Sequence, residues 1–348
     1  MKFQRKQSWL PLLSIIALSL GLGACSKDDA SDSTYSYAGP GSNWGATIRS
    51  DGTFTITESD SSLTVEGTHT TLSSGFMKLT VTSATGADAP SAGQQAYAVN
   101  IPGVVFLLKP IGGGENQIIP MVASGSCPTS DQNLNWVQMS NSHTIDSSTD
   151  VLGTYAFDFE TNTPSLPNKY NLAGGDEGTG TISAISCSAG VATVSGGGGG
   201  GGGTMYLTAS GGAIVKTTNS TIMAMPSGSV STSVLAGDYV GLVFSGGDDH
   251  PVNATMSSGS LTVASVNADT GAAEGSITST VINGFTENSP AAGFLSGQFA
   301  AATSEKVVCM AQADVAGSGK NYIFCIGDDP TVESAAGVTM FSALFVSK

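Results

Sequence analysis

Charge is what this chain has least of. Only 11% of its 348 residues are charged, and Lys and Arg together number 12 against 27 Asp and Glu. Nucleic-acid binding is excluded, because it needs basic clusters that displace counterions from phosphates, and no segment supplies one. Hydrophobic residues make up 40%, too many for a disordered polyelectrolyte, and they lack the sustained helical periodicity that a bundle or coiled coil requires. Histidine is reduced to three copies, His69, His143 and His250. His69 falls in the alternating run Leu63 to Thr70, which reads as an exposed strand face, and His143 falls in a polar link from Ser140 to Asp150. Without a Gly-x-Ser-x-Gly elbow the reading favours a protein that is not an enzyme. No Cys-x-x-Cys and no Cys/His cluster at zinc spacing occurs, so no cofactor is expected.

What is present begins at the amino end. Lys2, Arg5 and Lys6 make a basic start, and Trp9 to Leu20 form an apolar stretch broken by Pro11. That stretch is shorter than the roughly 20 residues of a spanning helix, and it ends in Gly21-Leu22-Gly23-Ala24-Cys25 rather than in a basic stop-transfer cluster. The order is that of an export signal. Leu22-Gly23-Ala24-Cys25 resembles the lipobox of bacterial lipoproteins, a likeness confined to residues 1–25 and departing at Gly23, where Ala or Ser is more usual. The resemblance implies a signal peptide of residues 1–24, cleavage before Cys25, a palmitate-type diacylglyceryl thioether on its sulfur, and two or three acyl chains where one alone binds only marginally. Ser26 after the cysteine is similar to lipoproteins forwarded to the outer membrane. Cleavage would remove three basic residues and no acidic ones, leaving 9 basic against 27 acidic residues and a formal charge of −18. The acyl chains, not anionic headgroups, would then hold the protein to the membrane.

Beyond a polar tether from 25 to 36, short apolar runs alternate with Gly, Ser, Asn and Asp. Thr47-Ile48-Arg49, Ser50-Asp51-Gly52 and Thr53 to Ile56 read as a hairpin, because Asp-Gly accepts the positive φ of a tight turn. Met77, Leu79 and Val81 alternate with Lys78, Thr80 and Thr82, and Val104 to Leu108 is the unbroken run of a strand covered on both faces. The expected class is all-β, with antiparallel sandwich or barrel units. An internal echo organises the first part: Trp44 and Tyr97 are answered by Tyr155 and Tyr206, Gly103 by Gly212, Lys109 by Lys216, and residues 119–126 by 222–229. Two related β units are therefore expected over 37–232, and a C-terminal β domain over 233–348. The Gly-x-Tyr openings at 153 and 237 resemble the Gly-x-Trp first-strand motif of lipocalin-like and avidin-like barrels, over too few residues to carry a ligand pocket across. Gly196 to Gly203 reads as a flexible loop.

With Cys25 assigned to lipid, four cysteines remain in an oxidising compartment. Cys309 and Cys325 lie equally far from Gly317 and face each other in a predicted hairpin, so that Cys127 and Cys187 pair by elimination. The phosphate-loop likeness of residues 313–321 fails, because Asn321 to Phe324 reads as a strand where a helix should open. Acidic groups at Asp248-Asp249-His250, Asp328-Asp329 and Asp176-Glu177 are the candidate ion sites, none at EF-hand spacing. The functional expectation is a lipid-anchored outer-membrane protein of the cell envelope with a binding, adhesion or structural role toward a protein or glycan partner. The alternatives are a secreted hydrolase and a lipocalin-like carrier of a small apolar ligand.

Overall fold

The computed structural model describes residues 33–111, 118–140, 144–145, 151–159, 161, 163–196, 203–216, 220–245, 248–272, 280–303, 305–328 and 338–348. The signal segment, Cys25, His143, Asp329 and most of the glycine run lie outside them. The class is all-β as the sequence predicts. Among the described residues one 3-10 turn, Val315–Gly317, stands between strands.

Three rings follow one another. In the first, β1 (Thr34–Gly39), β2 (Ser42–Ile48), β3 (Thr53–Glu58), β4 (Leu63–Thr71), β5 (Met77–Thr85), β6 (Gln95–Ile101), β7 (Val105–Pro110) and β8 (Ile119–Ala123) run up and down as a closed barrel, sealed where Tyr37 meets Ala123. The second opens with β9 (Gln132–Ser140). The short β10 (Thr144–Ile145) leaves that barrel, which continues through β11 (Leu152–Asp158), β12 (Thr163–Tyr170), β13 (Asp176–Ser188), β14 (Val191–Gly196), β15 (Gly203–Leu207), β16 (Ala213–Lys216) and β17 (Ser220–Pro226) and closes back on β9. The third comprises β18 (Gly237–Ser245), β19 (Asp248–Ser257), β20 (Ser260–Ser265), β21 (Thr280–Glu287), β22 (Phe294–Phe299), β23 (Lys306–Gln312), β24 (Tyr322–Asp328) and β25 (Val338–Ser347). Because β25 pairs with both β24 and β18, these strands are joined all the way round, and β10 adds to β25 as the ninth strand of that sheet.

Local chemistry sets the turns. At the first predicted hairpin Gly52 takes φ 87°, and the Asp51 carboxylate accepts both the Thr53 N–H at 2.8 Å and its hydroxyl at 2.7 Å. His69, read from the alternation as exposed, is instead half-buried, with Nε2 2.8 Å from the Arg49 carbonyl beneath that turn. Asp314, in the left-handed region at φ 48°, accepts the Gly319 N–H at 2.6 Å and turns β23 into β24.

The internal echo is realised as strand equivalence. Trp44 and Tyr155 sit on the second strands of their barrels, β2 and β11, counting round from β1 and β9. Tyr97 and Tyr206 sit on β6 and β15, and the 119–126 and 222–229 segments form β8 and β17.

Two kinds of core follow from the period-two alternation of strands. One set of side chains points into each lumen. The other set, on strands such as β7, β9, β24 and β25, packs into a hub shared by all three rings, where Leu107 on β7 joins Val137 on β9 and Phe324 on β24 in one cluster. Strand β24 shows both faces at once, with Ile323 and Cys325 in the third lumen and Tyr322, Phe324 and Ile326 in the hub. Each such Leu, Ile or Phe contributes about 1.5–3 kcal/mol. Residues Asp32 to Lys348 accordingly form one compact unit. Polar seams surround the hub: Asn135 donates to the Ala292 carbonyl at 2.6 Å, and Lys78 and the Tyr97 hydroxyl both reach Asp269 at 3.1 Å.

Both disulfides form as the sequence predicts. Cys309 and Cys325 stand opposite one another in register within the third lumen. Cys127 and Cys187 tie the segment leaving the first barrel to β13 of the second.

Candidate functional site: the open end of the first barrel

The acidic groups singled out from the sequence fall on three different strands, with Asp248 on β19, Asp176 on β13 and Asp328 on β24. Asp248, Asp249 and His250 are not a loop but the start of β19, paired with Ser245, Phe244 and Val243, and the side chains of the two aspartates lie outside the described residues. Asp176 and Glu177 are held locally: Asp176 accepts the Gly178 N–H at 2.7 Å and Glu177 accepts from Asn171 at 2.6 Å. Among the described residues no group of three His, Cys, Asp or Glu is arranged to hold a metal ion.

The lumen of the first barrel offers more. Its lower half is closed by Tyr37 and Phe106, whose ring centroids lie 6.3 Å apart, with the Gly103 N–H donating to the Tyr37 hydroxyl at 3.3 Å. Burial raises the Tyr37 pKa to about 12, so this plug stays neutral. Above it the barrel is not filled. A cavity of about 510 Å³ opens between the strand ends, within the size range of small-molecule sites. Trp44 forms part of its wall, lying across Gly39 of the neighbouring strand, where a Cβ would stand 2.5 Å from the indole ring.

The strand pattern explains why the space is apolar. Leu63, Val81, Ala96, Leu108 and Ile119 all alternate inward, packing on one side against the core of the barrel and on the other facing the cavity, so each stays only half-buried. The segment Asp88 to Ser91 leans over the rim, fixed where the Gln94 side chain accepts the Ser91 N–H at 2.8 Å. Gln94 and Gln95 bring carboxamides to the same rim. The second barrel braces the mouth from outside: the buried Tyr206 hydroxyl hydrogen-bonds the Asp60 carboxylate in the β3–β4 turn and lies 2.8 Å from the Gly41 carbonyl. Burial, then the Asp60 hydrogen bond, raises the Tyr206 pKa, so the hydroxyl keeps its proton for that contact.

The sequence marked Trp44 as core and did not mark the cavity. Its signal lay in residue size: beside Trp44, inward positions near the mouth such as Leu63, Val81, Ala96, Leu108 and Ile119 are aliphatic or small, where the second barrel runs Tyr155, Phe157 and Phe159 together.

No protein-family model matches the chain, and no curated protein matches it. Among solved structures it is similar to a double mutant of the vaccine antigen transferrin-binding protein B from Haemophilus parasuis Hp5, at 9% identity and a TM-score of 0.24. That alignment covers 90% of this chain and 66% of the other, so the chain spans just under two thirds of that protein's length.

Proposed function

We propose that the chain is a non-catalytic, lipid-anchored binding protein of the outer membrane, tethered through acylated Cys25 and holding a small molecule in the open end of its first barrel. The cavity itself carries this reading. It favours a small ligand over the protein or glycan partner that the sequence left open, and thus the carrier form of the binding hypothesis. The anchor rests on the lipobox-like Leu22-Gly23-Ala24-Cys25.

Both halves are testable on one preparation. After growth with an alkyne-tagged fatty acid, the wild-type chain takes up label and fractionates with the outer membrane, whereas Cys25→Ala stays unlabelled. Organic extraction of the purified wild-type protein followed by mass spectrometry releases a stoichiometric small molecule. An unlabelled wild-type chain removes the anchor, and protein that is empty from every growth condition removes the carrier.

A further inference from the structure

We infer that the cup of the first barrel takes an uncharged molecule with an apolar body and one neutral polar end, and that it discriminates against anions. The inference rests on the cup being a binding site and adds the chemistry of its occupant. Aliphatic walls such as Val65, Leu79 and Leu108 select an apolar body, because burying apolar surface on both sides is the main gain available there. The polar groups gather at the rim, where Gln94, Gln95 and Ser91 offer neutral donors and acceptors to the exposed end of a ligand.

Charge at the rim points the same way. Among the described residues Asp88 is the one ionisable member of the lining, and it is acidic. The adjacent β3–β4 turn adds Glu58 and Asp60 at the same end of the barrel. Two lysines stand nearby without entering the cup. Lys109 lies between the lining residues Leu108 and Pro110 and so alternates outward, and the Lys216 stem packs over Gly41 from the second barrel. An anion in the cup would lose water and meet a carboxylate with no cation to pair it.

The test uses two probes that share a skeleton and differ by one sulfonate: N-phenyl-1-naphthylamine, which is neutral, and 8-anilino-1-naphthalenesulfonate. The protein is the chain from Ser26 onward, which keeps the whole compact unit and lacks the acylated cysteine. A Trp136→Phe background leaves Trp44 as its one tryptophan, so that energy transfer from Trp44 reports a probe in the cup. The neutral probe is expected to bind saturably at one per chain with Trp44 emission quenched, and the sulfonate at least tenfold more weakly. Ala96→Phe, which fills the lumen, abolishes neutral-probe binding. Asp88→Lys raises sulfonate affinity relative to that of the neutral probe and so narrows the gap between them, a result that stands even if the filled-lumen variant does not fold.

Sulfonate binding as tight as the neutral probe overturns the ligand class and leaves the cup as a site. Absence of binding by either probe, or neutral-probe binding that persists in a folded Ala96→Phe, overturns the cup itself.

Discussion

The first two barrels share a strand plan, and their lumens differ. In the second, Tyr155, Phe157 and the following Phe159 project at alternate positions, and Trp136 on β9 stacks on Tyr155 at 5.6 Å. The Tyr155–Phe157 and Phe157–Phe159 centroids follow at 5.2 and 5.9 Å, so rings run down the lumen. In the first barrel Trp44 stands at the position equivalent to Tyr155, and Phe54, Ile56, Val65 and Leu79 share its cluster. Closure of a barrel is a matter of backbone pairing, whereas occupancy of its lumen depends on side-chain volume, and the two vary independently. The same device seats the large indole in each case: a lumen glycine, Gly39 or Gly153, leaves room for it, and neither indole nitrogen finds an acceptor among the described residues.

The contrast can be broken most forcefully through the covalent tie. Replacing Cys127 and Cys187 together by Ala removes a bridge spanning 60 residues, which should cost about 4 kcal/mol on the chain-entropy model, read from urea unfolding. If the cup is a property of the first barrel alone, neutral-probe binding survives this loss at concentrations where the protein stays folded. A close second is the lumen filling itself. Phe157→Ala should cost about 3–5 kcal/mol, because that ring is 1% exposed and packed on both sides. Leu63→Ala, at a cup wall that already faces space, should cost only about 1 kcal/mol. Equal costs at the two sites would mean the first lumen is as tightly filled as the second.

How much of this was legible beforehand depends on the kind of signal. Strand alternation at Met77 to Val81, the Asp51-Gly52 turn and the mirror placement of Cys309 and Cys325 are local, and each came out as read. The echo between Trp44 and Tyr155 was also legible, since equivalent strands need equivalent residues. The hub was not, because Leu107, Val137 and Phe324 reveal a common neighbour only after the chain has closed three rings. His69 was misread for a related reason: alternation gives a side chain's face, but not the turn that folds beneath it. The cup escaped because an unfilled volume is a property of eight strands at once. The Asp248-Asp249-His250 group was read as a loop and opens β19 instead, because polar residues at a strand end resemble those of a loop.

A finer comparison uses the two glycines. A Cβ at Gly153 would stand 2.5 Å from the Asn168 carbonyl oxygen and 2.7 Å from the Trp136 nitrogen, and Trp136 is held by its stack on Tyr155. A Cβ at Gly39 would meet the Trp44 ring at 2.5 Å and the flexible Met121 side chain at 3.2 Å, but this indole has the cup to swing into. Gly153→Ala should therefore cost about 2–3 kcal/mol and Gly39→Ala about 1 kcal/mol, within the usual range for overpacking. Gly39→Ala should in addition shift Trp44 fluorescence and weaken neutral-probe binding. A larger cost at Gly39 would show that Trp44 is pinned and the cup rigid.

The smallest effect concerns pH and sets the cup against the third ring, where a carboxylate is enclosed rather than left at an open rim. Burial raises the Asp328 pKa above the ordinary carboxylate value, with the Lys306 N–H, 3.4 Å away, offsetting only part of the shift. One carboxylate oxygen is buried without a partner among the described residues. The sign follows from which form the fold disfavours. Above the raised pKa the folded state carries a charge that burial penalises. As pH falls through that value toward the unfolded one near 3.9, the folded state binds the proton first and Asp328's contribution turns toward stability. Asp328→Asn keeps the acceptor for Lys306 and removes the titration, so it should melt higher than wild type at pH 7, with the difference shrinking as the pH is lowered. Parallel melting curves for wild type and Asp328→Asn across that range would show the Asp328 carboxylate to be solvated rather than enclosed.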